Sequence, residues 1–231
     1  MKALLFMLSD LWMIFVGFFY GWKLIRQYGN YLLGLEWIII AISGSNFLAW
    51  SLLGGDTSNP MYFIAYFFDA FSRSVGVSLI LVMGLMRVTH RYKPTVAVDI
   101  SVFGLGIVAG LYLQQFHGHG FHVVPATFFV IVNALSTVFL AYFSLRLWKI
   151  RARGLAIASA FTTAAATFVA LTYDFFPLPG DDKDRTTFYV LALATWGLQA
   201  FVYFISYRAL HNHNVATGAE SATNERSVAQ A

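Results

Sequence analysis

The chain has 231 residues, of which 58% are hydrophobic and 11% charged, with mean hydropathy +0.66 and formal net charge +4. Soluble domains carry about 25% charged residues, and a globule of this size cannot hide so much apolar surface, so lipid is the expected solvent. The absence of cysteine excludes disulfides, iron–sulfur clusters, thiolate catalysis and cysteine-ligated zinc.

Seven apolar stretches are long enough to cross about 30 Å of hydrocarbon as helices: 3–25, 31–53, 61–86, 95–116, 121–145, 155–176 and 186–210. The first has no small-residue cleavage site and carries Asp10, so it reads as a retained helix rather than a signal peptide. The second holds Glu36, one to two turns from one end, and Asn46 towards the other. Gly54-Gly55-Asp56-Thr57-Ser58-Asn59-Pro60 then breaks the chain.

The third stretch contains the most costly residue in the sequence. Arg73 lies near its middle, where a guanidinium costs roughly 2.5–3.5 kcal/mol on insertion scales. Asp69, four positions earlier, shares its helical face and is the expected partner, with Asp10 as another acid at similar depth. Lys93-Pro94 opens the fourth stretch, where Asp99 in the second turn suits the positive end of the helix dipole. Its Gly106-x-x-x-Gly110 is a small-residue surface for close helix approach, within the bundle or between protomers.

The break before the fifth stretch, His117-Gly118-His119-Gly120-Phe121-His122, spaces three imidazoles that could hold zinc or copper. With two glycines and no nearby carboxylate, a solvated turn is the plainer reading. Asn133 falls near the middle of the fifth stretch. The sixth carries Thr162, Thr163 and Thr167, with Asp174 near its outer end and expected to meet interfacial water, before Pro177-Leu178-Pro179-Gly180. On the seventh, Trp196, Gln199, Tyr203 and Tyr207 recur on one face, as a pocket lining or as packing. From 212 to 231 the composition turns to Ala, Thr, Ser, Asn and Glu, which reads as a disordered cytoplasmic tail following one transmembrane domain, 1–211.

Basic residues alternate sides. Lys23, Arg26, Arg87, Arg91, Lys93, Arg146, Lys149, Arg151, Arg153 and Arg208 fall at one end of the helices. Only Lys2, Lys183 and Arg185 fall at the other, beside Asp56, Asp181, Asp182 and Asp184. The positive-inside rule puts the N-terminus outside and the C-terminus in the cytoplasm, and explains the net charge without nucleic acid. The expected location is a bacterial-type inner or plasma membrane, with the bilayer as the main partner. A homo-oligomer or another membrane protein is a further expected partner.

Counted along each helix, Asp10, Asn46 and Asp69 lie about a third of the way in from the outer face. Arg73 and Asn133 lie near the midplane, and Gln199 slightly deeper. Ionisable groups inside a membrane face the bundle interior and pair. These residues, with Trp196 and Tyr203, are therefore the candidates for a polar site opening outward, and Glu36 and Asp99 are secondary candidates on the cytoplasmic side. The alternative for the polar set is interhelical glue.

Seven spans with an outside N-terminus resemble the layout of microbial rhodopsins and of sugar-transporter-like 3+1+3 proteins. A covalent retinal needs a lysine in the last span, and residues 186–210 contain none, so no retinal cofactor is expected; Pro-Gln is absent as well. H-E-x-x-H, G-x-S-x-G and a P-loop are missing. The leading expectation is movement of an ion, proton or small solute through an outward-facing cavity centred on Asp69 and Arg73. A ligand-binding, signalling or accessory membrane protein is the alternative, and a lipid-handling enzyme the third.

Overall fold

Caps fix where the helices begin and end. A computed structural model describes residues 1–116, 121–175, 178–183 and 185–229, without the side chains of 219–229. Helix α1, Lys2–Tyr28, closes on Gly29 in the left-handed region (φ 58°), whose N–H bonds back into the last turn. Asn30 caps α2, Tyr31–Leu52, by accepting from Leu33 N, and its Nδ2 donates to Gly84 O at 2.8 Å. Asn59 and Pro60 start α3, Pro60–Thr89, with the Asn59 side chain on Met61 N and proline where no N–H is needed.

Thr95 caps α4, Val96–Phe116. Helices α5, Val123–Lys149, and α6, Arg153–Asp174, follow. The last helix, α7, Thr186–Ala229, starts on two acids. Asp181 accepts from the N–H groups of Thr187 and Phe188, and Asp182 from that of Thr186 and from Lys2 Nζ. The Thr186 N–H and the Lys2 ammonium hold the Asp182 carboxyl below the usual carboxylate range. The helical backbone of α7 continues past His211, and Asn214 Nδ2 donates to Val88 O at 2.8 Å.

The seven helices are each long and apolar enough to cross a membrane, and they suggest a multi-pass membrane protein. Their outward faces carry large apolar side chains, such as Leu135, Val138 and Phe161, that a soluble fold would bury. Helices α1, α2, α3, α5, α6 and α7 close a ring in which each packs on the next. Helix α4 stands outside this ring, packed chiefly on α3. Gly106 and Gly110 face Phe71 and Phe67 of α3, so the small-residue surface serves this contact inside the chain. A Cβ on Gly106 would enter the Phe71 ring.

The interior of the bundle differs between its two ends. Leu24, Leu33, Leu85, Val88, Phe143, Leu147, Tyr207 and Leu210 form a continuous buried core at the end that carries the basic residues. That end is tied further by Arg87 Nη1, which donates to Gly29 O at 2.7 Å. The opposite, aspartate-bearing end is held by the Lys2–Asp182 pair at 3.2 Å and contains open space.

One element departs from the sequence pattern. Ser72–Ile80, in the middle of α3, is π-helical rather than α-helical. Ser74 Oγ bonds Ala70 O and Ser78 Oγ bonds Ser74 O, which diverts backbone acceptors locally. Such insertions often occur at functional sites.

Candidate functional site

The π-helical stretch presents Arg73 to the interior. Its Nη1 donates to Asp69 Oδ2 at 3.4 Å and its Nη2 to Asp174 Oδ2. The guanidinium carbon stands 4.0 Å from the centroid of Phe129 and 3.9 Å from that of Tyr173. Helices α3, α5 and α6 thus converge on one cation, which two carboxylates and two aromatic rings satisfy. The group carries a formal charge of −1. Asp69 is where its spacing places it, and Asp174, partly exposed at the aspartate-bearing end, also accepts from the guanidinium, a contact that its sequence position did not announce. Asp10 takes no part in the group.

A cavity of about 170 Å³ lies beside this group, lined from α1, α2, α3, α5, α6 and α7. Along α2 it runs from Trp50 to Glu36, a rise of about 21 Å at 1.5 Å per residue. The buried core of the basic end lies beyond it. Among the predicted site residues, Asp69, Arg73, Asn133, Gln199, Trp196 and Tyr203 line this cavity. The Tyr203 hydroxyl is held by Thr163 Oγ1 at 2.6 Å and by Gln199 Nε2 at 3.0 Å. Ser159–Ser206 and Thr137–Thr167 extend this polar seam along α6.

A second space of about 290 Å³ sits towards the aspartate-bearing end, bordered by α3, α4, α5 and α6. Tyr66, Asp69, Phe129 and Tyr173 border both spaces, while Arg73 lines only the inner one and Asp174 only the outer. The arginine group is therefore the partition between the two.

The other candidates separate from this site. Asn46 Nδ2 donates to Met61 O at 2.9 Å and ties α2 to α3, which is the glue role. Asp10 is fully buried against Gly44, outside the cavity, and accepts no hydrogen bond among the described residues. Asp99 on α4 lies outside the cavity too. His122 borders the outer space, while His117 and His119 lie outside the described residues. Among the described residues no three His, Cys, Asp or Glu side chains converge as metal ligands.

Glu36 gains most from the structure. It is 1% exposed, it lines the cavity, and neither carboxylate oxygen has a hydrogen-bond partner among the described residues. Its carboxyl group fits against the π-helical stretch at Gly76, where any Cβ would stand 2.8 Å from Glu36 Cδ. A side chain there would require the Glu36 carboxyl, the far end of a flexible chain, to shift. The ring-bearing walls Phe47, Tyr66, Phe129, Tyr173 and Tyr189 were not singled out from sequence, where they merge with the general wealth of aromatics.

Comparison with known proteins adds no identity: no family model, no curated protein and no solved structure matches the chain.

Proposed function

We propose that this chain is a bilayer-embedded carrier that moves a small solute or ion through the cavity beside Asp69 and Arg73. In this reading the N-terminus faces outward and the basic end faces the cytoplasm of a bacterial-type inner or plasma membrane, an orientation that the alternation of basic residues supports. The observation that carries the proposal is the asymmetry of the interior. A cavity reaches from Trp50 past Arg73 to Glu36, and a packed apolar core stands between it and the basic end. That is the form of a carrier open to one side. The Asp69–Arg73–Asp174 group forms part of its wall, towards the second space, and the core containing Leu33, Leu85 and Leu147 is its closure on the inner side.

A ligand-sensing protein would use the same cavity without flux. The acids that would serve a lipid-handling enzyme are not brought together, since Glu36 lines the cavity and Asp99 does not. The test is uptake by proteoliposomes of labelled small amines, sugars and carboxylates. The control replaces Asp69, Arg73 and Asp174 together by apolar residues. Uptake of one class above that control supports transport. Equal uptake of every class overturns it in favour of the sensing or accessory role.

A further inference from the structure

The charges lining the cavity come from Glu36, Asp69 and Arg73. Arg73 is already matched by two carboxylates and two ring faces, so it offers no free cation to an anionic ligand. Glu36 is the opposite case. It is buried, borders the cavity with its carboxyl group set against Gly76, and is without any hydrogen-bond donor among the described residues. A buried carboxylate without a partner is costly, and an occupant that brings a positive charge and N–H donors removes that cost.

The rest of the lining restricts the occupant further. Trp37, Trp196 and Tyr203 share the cavity with Glu36 and offer aromatic surface, which attracts organic cations. A hard metal ion asks for six or more oxygen ligands, and no acidic cluster supplies them among the described residues. The volume, about 170 Å³, is close to the roughly 150 Å³ that accommodates benzene in an apolar cavity. From these observations we propose that the ligand is a small organic ammonium ion, of about one ring in size, with the Glu36 carboxylate as its counter-ion. This rests on reading the cavity as a solute site, but not on flux.

The experiment is equilibrium binding to the purified full-length protein in detergent, followed by tryptophan fluorescence, since Trp37, Trp50 and Trp196 line the cavity. The probes are benzylammonium, the neutral benzyl alcohol and the anionic benzoate. Benzylammonium is expected to bind about tenfold to a hundredfold more tightly than benzyl alcohol, the range of a charge-assisted hydrogen bond. Glu36→Gln is expected to abolish that preference, while Asp10→Asn, which alters a buried acid outside the cavity, leaves it intact. As a check that needs no variant, benzylammonium but not benzyl alcohol should protect Glu36 of the native protein from a hydrophobic carbodiimide, read by mass spectrometry. Equal binding of the three probes, no binding of any, displacement of benzylammonium by millimolar sodium or potassium, or a preference that survives Glu36→Gln would each overturn the proposal. Selective binding without uptake would uphold it and count against the carrier reading alone.

Discussion

Asp174, the last residue of α6, accepts a hydrogen bond from Arg73 in the π-helical turn of α3. With Asp69 it completes an acid–guanidinium–acid group whose side chains are 20, 14 and 22% exposed for Asp69, Arg73 and Asp174. Breaking a fully buried pair costs about 3–5 kcal/mol, and partial exposure lowers that. Asp174→Asn is expected to destabilise the protein by about 1–3 kcal/mol, read as a lower midpoint in a thermal scan. Arg73→Leu should cost more, because it strands both acids, and removing Asp69, Arg73 and Asp174 together should recover most of that larger loss. A triple variant no more stable than Arg73→Leu would contradict the pairing.

Gly76 and Glu36 form a steric pair. Gly76→Ala places a methyl group where the Glu36 carboxyl lies and forces that carboxyl to shift, at a cost no larger than the roughly 1–3 kcal/mol of core overpacking. The loss should shrink when Glu36→Ala is made in the same chain, and a double-mutant cycle measures it. Additive effects would mean that the two residues do not touch.

Asp10 differs from Arg73 in having nothing to satisfy it. It is fully buried and accepts no hydrogen bond among the described residues. Asp10→Asn keeps its shape without the charge, so the thermal midpoint should stay level or rise. A fall of several degrees would show that Asp10 serves a charged partner.

Tyr203 joins α7 to α6 through Thr163, and Gln199, one turn earlier on α7, donates to the same hydroxyl. Tyr203→Phe leaves Gln199 Nε2 without its acceptor, at about 1–2 kcal/mol, whereas Thr163 keeps its bond to Ser159 O. Gln199→Leu should cost less when Tyr203→Phe is already present. The same loss in both backgrounds would place the contribution of Gln199 elsewhere.

The orientation can be checked with fusions. A reporter after Arg208 should read cytoplasmic and one inserted at Asp182 external, because ten basic residues at one end of the helices oppose three at the other. A cytoplasmic signal at Asp182 would reverse the orientation.

Much of this was legible in the sequence. Hydropathy located six of the seven helices within a few residues and the start of the seventh, whose helical backbone runs on to Ala229 instead of ending near 210, and Asn59-Pro60 marked a start by chemistry that does not depend on tertiary packing. The Asp69–Arg73 pair was legible because i,i+4 spacing is a local property. Asp174 was not, since its position along α6 says nothing about the reach of an arginine on another helix. Glu36 stands one to two turns from the start of α2, as its position in the sequence gives, but its burial against Gly76 was not legible, since depth along α2 says nothing of the α3 residues packed on it. The π-helical stretch leaves no periodic trace, and nothing in Ser72-Arg73-Ser74-Val75-Gly76 distinguishes it from an ordinary polar patch.

The most direct test of the central claim uses the natural absence of cysteine, which makes the native chain its own background for thiol labelling. Ser43 lines the cavity, while Ser144 is buried near the basic end of α5. In intact cells, a membrane-impermeant thiol reagent added outside should modify Ser43→Cys and leave Ser144→Cys untouched. Labelling of Ser144→Cys from outside, or protection of Ser43→Cys there with reaction only from the cytoplasmic side, would contradict an outward-facing cavity closed by the basic-end core.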